Sequence, residues 1–184
     1  MDYVGSRWYK CDFHIHTMKS QCYANKNDTY EEWIDAAVDK GLDCLAVTDH
    51  NDCRSIDALI ALGKAKGITV FPGVELTCSD AKVHMLILFD IPDGQETVYE
   101  FLIRAGISTK KLSSPDGTNM SVEEVCNLAH EMNGLVIAAH IDEFNGINAM
   151  GHHNMLSLFS KGLLDAVQVV NKDLWEQYRI HKDK

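Results

Sequence analysis

His14 and His16 stand one residue apart near the end of a short run, Lys10-Cys11-Asp12-Phe13-His14-Ile15-His16-Thr17. On an extended strand, residues i and i+2 project from the same face. Two neutral imidazoles can then address a single point, which is what a metal ion needs from nitrogen ligands. By the same alternation Asp12 falls on that face, placed to orient a ligand histidine or to bind metal itself. An H-x-H pair is common, so its weight rests on further donors. Downstream the chain offers Cys22, Asp49-His50, Glu75, His84 and His140. Several histidines around a shared carboxylate suit zinc, iron or manganese, whereas calcium and magnesium prefer shells of oxygen. Such ions held close together acidify a shared water and clamp phosphoryl oxygens.

The elements that must position these residues alternate along the chain. After the H-x-H strand and a polar loop, Thr29-Tyr30-Glu31-Glu32 opens a helix with a capping box, and Gly41 closes it. Residues 43–48 are a near-continuous apolar run, the pattern of a strand buried on both faces, with Asp49-His50 at its end. A helix over 55–66 and a strand over 68–74 follow, the latter interrupted by Pro72-Gly73 and ending at Glu75. Residues 82–89 read as a strand with His84 near its start, and 97–104 as a helix. The polar stretch 110–119 reads as a mobile loop. Ser121 caps a helix through Met132, and the strand over 135–139 ends at His140. Helices near 154–160 and over 172–181 flank a last strand over 165–170. This alternation predicts an α/β fold with a parallel sheet or barrel, in which chemistry gathers at the C-terminal ends of the strands. His14, His16, Asp49, His50, Glu75 and His140 all fall at such ends, while the place of His84 is less evident.

Composition sets bounds. The 184 residues are enough for one domain with a substantial core, and 46% hydrophobic with 24% charged residues is an ordinary globular balance. No apolar run reaches the length of a membrane span, and no secretory signal is visible, which predicts a cytoplasmic protein. The net charge of −10 disfavours stand-alone binding of long nucleic acid and accords with a carboxylate-rich, cation-binding cleft. Six cysteines without a C-x-x-C pair read as reduced thiols, mostly core residues, with Cys44 in its apolar strand the plainest case. His130 on its helix reads as structural; Lys26, Lys110 and Lys111 are candidate phosphate contacts on loops that read first as solvated lysines, and His152-His153 lie in a loop that could reach the site.

Asp12-Phe13-His14-Ile15-His16-Thr17, Thr48-Asp49-His50-Asn51, Pro72-Gly73-Val74-Glu75, Lys82-Val83-His84-Met85-Leu86 and Ala138-Ala139-His140 together resemble the successive motifs of the PHP (polymerase and histidinol phosphatase) family, in family order from about residue 10 to residue 171. The resemblance implies a distorted (βα)7 TIM-like barrel with two or three divalent ions (Zn, Mn or Fe) and hydrolysis of phosphoesters. It places His14, His16 and Glu75 on one ion, Glu75 bridging to a second with His84 and His140, and His50 on a third. Catalysis would then rest on His14, His16, Glu75 and His140, with Asp49 supporting its loop rather than ligating. Where some relatives carry a third-ion histidine this chain has Cys22, a soft ligand for zinc as a thiolate or else an inert loop residue.

The family's last strand, with its D-x-H motif, has no counterpart after Asn171; Asp183 and His181 stand in no such arrangement. The resemblance therefore implies a single PHP-type domain over 1–184 that lacks the last strand, as an N-terminal fragment or a degenerate member. Ser20-Gln21-Cys22-Tyr23 and Pro72-Gly73-Val74-Glu75-Leu76-Thr77 resemble PHP modules at the front of bacterial AAA/SMC-like ATPase-coupled proteins, which would place an ATPase region outside these residues. The expected activity is metal-dependent hydrolysis of a phosphoester, from a nucleotide to a nucleic-acid end. The alternatives are a non-catalytic metal-binding module of a larger protein, or an amidohydrolase-like enzyme acting on C–N bonds.

Overall fold

Helix starts follow the capping chemistry of the sequence. Thr29 accepts from the backbone N–H of Glu32, whose carboxylate returns to the N–H of Thr29, and this box opens α1 (Tyr30–Asp39). Ser121 and Glu124 form the same reciprocal pair ahead of α4 (Val122–Glu131). The computed structural model describes residues 8–114 and 116–174. The other helices are α2 (Ile56–Lys66), α3 (Gly94–Arg104) and α5 (His152–Ser160). Among the described residues, no helix is long and apolar enough to cross a membrane.

Six strands pair in chain order into one curled, half-barrel sheet: β1 (Cys11–Ile15), β2 (Cys44–Val47), β3 (Thr69–Thr77), β4 (His84–Leu88), β5 (Leu135–Ala138) and β6 (Ala166–Val167). β1, β2 and β3 are parallel, β4 runs against β3 and β5, and β6 is parallel to β5. Because β4 alone is reversed, its first residue, His84, comes to the edge where the other strands end. That reversal resolves the ambiguous position of His84 in the sequence. The helices cover one face with the main core, which includes Ile34, Leu45, Val47, Leu59, Val74, Phe101 and Val125. On the other face Ala46, Leu86, Leu88, Ile137 and Ala139 pack with Phe13 and Phe71.

Two irregularities shape the site. The first is a bulge in β1, where the register moves from Asp12↔Leu45 to Ile15↔Val47. The extra residue breaks simple alternation. Phe13 packs with the smaller core, while Ile15 joins the helix-side core. Asp12 is thereby turned to the helix side, lining a cavity with Ile15, Trp33 and Ala37. The expectation that Asp12 shares the histidines' face is corrected: its Oδ1 accepts the backbone N–H of His14 at 3.1 Å, and its charge adds to those that raise the His14 pKa.

The second irregularity is in β3, which is not broken at Pro72-Gly73 but changes partners there. Residues 69–72 pair with β2, and 73–77 with β4. Pro72 has no N–H to give, and its carbonyl takes the N–H of Phe89 at 2.9 Å. Beyond the switch, Glu75 returns to the β2 side through its N–H to Asp49 O (3.2 Å) and its carbonyl to Asn51 N (3.0 Å).

Several boundaries differ from expectation for local reasons. The last strand shortens to Ala166–Val167, although Gln168 still donates its N–H to Ala138 O. The 110–119 stretch is tied down: Asn51 Nδ2 donates to Ser114 O (2.6 Å) and Thr118 N to Thr77 O (2.9 Å), while the Thr118 hydroxyl bonds Ala105 O. His152 and His153 form the exposed first turn of α5. Cys44 is only half-buried, because it starts its strand beside exposed Cys11. Of the expected helix over 172–181, residues 175–181 lie outside the described residues, as do Pro115 and Asp183.

Gly73 marks the tightest approach at the switch. A Cβ there would meet Leu88 Cδ2 at 2.6 Å, Ile87 O at 3.0 Å and Val47 O at 3.2 Å. Overpacking of this kind costs about 1–3 kcal/mol. Urea unfolding of Gly73→Ala is therefore expected to show a lowered midpoint at an unchanged slope.

Candidate metal centre

Glu75 is 1% exposed and sits among five imidazoles. Its Oε2 faces His14 Nε2 (3.1 Å), His16 Nε2 (3.2 Å) and His50 Nδ1 (3.2 Å). Its Oε1 faces His84 Nδ1 (2.8 Å) and His140 Nε2 (3.2 Å). One carboxylate thus touches residues from the ends of β1, β2 and β5 and from the start of β4. The sequence reading placed His14 and His16 together, and His84 and His140 together; the structure brings each of these pairs to its own oxygen of Glu75.

The loops that carry these rings are locked by Asp49, which is fully buried. Its oxygens accept from Thr17 N (2.6 Å), Thr17 Oγ1 (2.6 Å), Ser20 Oγ (2.9 Å) and Ser55 Oγ (2.8 Å). With its acceptor sites filled by hydroxyls and an amide, Asp49 ties the β1 loop to the β2 loop and holds no place in the imidazole cluster. Ser20 then has lone pairs for the N–H of His50 (2.8 Å) and for His16 Nδ1 (3.2 Å). Since the Ser20 proton goes to Asp49, His16 Nδ1 must carry its own, leaving the Nε2 lone pair aimed at Glu75.

His14 is fixed in the same way by Gln168. The Oε1 of Gln168 accepts the backbone N–H of His140 (3.0 Å), so it also accepts from His14 Nδ1 at 2.7 Å. The neutral His14 ring then carries its lone pair on Nε2. Asn145 packs its amide nitrogen 3.0 Å from His84 Nδ1, and its carbonyl accepts the N–H of His84. His140 and Asn51 hold positive φ angles of 26° and 50°, conformations that L residues rarely adopt and that cluster at functional sites.

Charge follows from this crowding. Burial alone would push the Glu75 carboxyl up, but the imidazoles of His14, His140, His16 and His84 packed against its oxygens outweigh it and hold the group ionised far below the usual carboxylate range. For His50, burial wins over the attraction of Glu75, and its pKa falls to about 4. Burial also opposes a charge on His14, yet Glu75 and Gln168 reverse the balance and raise it.

Glu75 Oε2 and His140 Nδ1 are both buried without a hydrogen-bond partner. Among the described residues three donor groups converge: His14–Glu75–His140, His50–Glu75–His84 and His16–Cys22–His50. Neutral nitrogens, a carboxylate and a thiol at these separations fit divalent metal ions.

Cys22 is thus brought beside His16 and His50, its thiol pushed up by burial and by the Glu75 carboxylate. Next to this set lies a cavity of about 220 Å³ lined by Gln21, Cys22, His50, Thr77, His84 and Ser113. Lys26 reaches back to the carbonyls of Met18 and Ser20, bracing the Cys22 loop. His130 pairs with Asp165 (3.0 Å), away from the cluster. His152, His153 and Lys110 are exposed and belong to none of the three donor groups. Ser20, Asn145 and Gln168 went unrecognised in the sequence, since none is a metal-ligand type. Their only signal was position, close behind motif histidines or at the end of the last strand.

A PHP domain family profile matches residues 12–181, and the chain belongs to that family. A phosphoribosyl 1,2-cyclic phosphate 1,2-diphosphodiesterase of Eggerthella lenta is 32% identical over 79 residues, which is 41% of this chain and 29% of that relative's length. A crystal structure from Bifidobacterium adolescentis, provisionally described as a metal-dependent phosphoesterase, superposes with a TM-score of 0.68 at 16% identity, covering 92% of this chain and 81% of that one. Endonuclease Q, bound to a duplex with an abasic lesion at its active site, gives a TM-score of 0.65 at 16% identity, over 90% of this chain and 44% of that one. These structural likenesses establish a shared fold.

Gln168→Leu is expected to weaken metal binding by about 10- to 100-fold, because His14 loses the acceptor that fixes its tautomer. Calorimetric titration with zinc would measure this. The raised pKa of His14 also sets a direction: its proton competes with metal, so affinity should fall as pH drops through neutrality. His50, already neutral there, adds no such competition. Titrations in buffers of different ionisation enthalpy should register the proton released.

Proposed function

We propose that this chain is a metal-dependent phosphoesterase module whose centre is built on Glu75. The observation that carries the reading is one buried carboxylate shared by five imidazoles at the sheet edge where this fold class keeps its chemistry. His14, His16 and Glu75 Oε2 would hold one ion, and His84, His140 and Glu75 Oε1 a second. His50, with Cys22, would hold a third. Divalent ions supply Lewis acidity toward phosphoryl oxygens and lower the pKa of water.

The chain's own part is positional. Asp49 and Ser20 fix the β1 and β2 loops, Gln168 fixes the tautomer of His14, and Glu75 balances positive charge in a site sealed from solvent on its buried side. The cavity bordered by His50, His84 and Ser113 would receive the phosphoester, with Gln21 and Thr77 as polar contacts. The relatives named above act on a cyclic phosphate and on a lesion-containing DNA duplex, and phosphodiester bonds are common to both substrates. This supports a phosphodiester as the substrate class, within a fold read as the (βα)7 type over a single domain.

The test is elemental analysis of the purified protein, paired with hydrolysis of bis-p-nitrophenyl phosphate under added manganese or zinc. Turnover with bound metal is expected, and Glu75→Gln should lower kcat/KM by about a hundredfold or more while reducing metal content. Stoichiometric metal without turnover on phosphomonoesters or phosphodiesters would instead make the module non-catalytic.

A further inference from the structure

At the opposite end of the sheet from Glu75, the first residues of β1 and β2 set two thiols side by side. Cys11 and Cys44 are direct partners in the parallel register, and their sulfurs lie 2.8 Å apart. That separation is inside van der Waals contact for unbonded sulfur. Neighbouring strands run about 4.7–4.9 Å apart, within the range of about 4.4–6.8 Å that a disulfide spans between Cα atoms. Closing the bond therefore needs little backbone movement.

The pair is also reachable. Cys11 is exposed and Cys44 half-buried, whereas Cys53, Cys78 and Cys126 are buried. By alternation the two thiols share the face of Phe13 and Ala46, away from the helices. Cys22, the other exposed thiol, belongs to the donor cluster at the far end of the strands.

We propose that Cys11 and Cys44 form a redox-active dithiol that closes to a cross-strand disulfide on reaction with a small-molecule disulfide. In the first step the Cys11 thiolate attacks one sulfur of the small disulfide, making a mixed disulfide and expelling one thiolate. Cys44 then loses its proton and attacks the Cys11 sulfur, expelling the second thiolate. The two protein thiols are oxidised, the small disulfide is reduced to two thiols, and the protons from the cysteines end on them. The order is set by surroundings: Cys11 is the exposed thiol that meets the small disulfide first, and Cys44, half-buried and pushed up to about 12 by burial, the Cys11 thiol and Asp43, resolves. The bulge that aims His14 begins one residue beyond Cys11, so this bond would pin β1 to β2 just below the metal-site histidines.

Exposure of the full chain to glutathione disulfide, followed by alkylation of remaining thiols and peptide mapping, tests the assignment. The expected product is a Cys11–Cys44 linked peptide pair, formed before Cys53, Cys78 or Cys126 reacts and reversed by dithiothreitol. Cys44→Ser should convert it to a stable glutathione adduct on Cys11, and Cys11→Ser should leave Cys44 free. A persistent glutathione adduct on Cys11 in the unaltered chain, a link from Cys11 to another cysteine, or no reaction at Cys11 would overturn the proposal.

Discussion

The edge of the sheet that carries the site is arranged around the burial of the Glu75 charge. An isolated carboxylate taken from water costs several kcal/mol, and that cost is offset only by partners close enough to share the charge. Glu75 has five such partners, delivered from the ends of β1, β2 and β5 and the start of β4. The sheet order, the reversed strand and the loop ties can all be read as the means of bringing those imidazoles to it. The same crowding makes the donors poor at satisfying one another: Oε2 meets three nitrogens at contact distance and hydrogen-bonds none. A divalent cation answers that mismatch better than a proton, because it can accept several lone pairs at once.

Much of the site was legible because its donors are chemically conspicuous and sit where an apolar run stops. His14, His16, His50, Glu75 and His140 needed only the rule that βα folds work at strand ends. His84 required knowing that β4 is reversed, which is a matter of pairing and not of local pattern. Asp12 failed because alternation assumes a regular strand, and a bulge is invisible to a period-two count. Gln168, Ser20 and Asn145 were missed for another reason. Their function is to hold a tautomer or a loop, and a neutral polar side chain has no spacing that announces it. Pro72-Gly73 misled in the opposite sense: residues that usually end a strand here allow it to trade one neighbour for another.

The supporting network separates two tasks that sequence motifs merge. Asp49 and His50 are adjacent in the chain, yet one is spent on hydroxyls and a backbone amide while the other faces Glu75. The Asp49 ties between the loops are thus made by groups other than the imidazoles that face Glu75. Loop 112–118, anchored through Asn51 and Thr77, borders the cavity beside the cluster without belonging to it. Variation there can alter what enters while leaving the charge balance around Glu75 untouched.

The exchange of neighbours in β3 has a mechanical meaning. Its first half belongs to a parallel sub-sheet with β1 and β2, and its second half to a mixed one with β4, β5 and β6. A sheet assembled in this way has a seam along one strand, crossed beside the site by the backbone bonds of Glu75 to Asp49 and Asn51. His14, His16 and His50 lie on one side of that seam, His84 and His140 on the other, with Glu75 on the strand that runs through it. An occupant of this centre would tie donors from both half-sheets together at the strand they have in common.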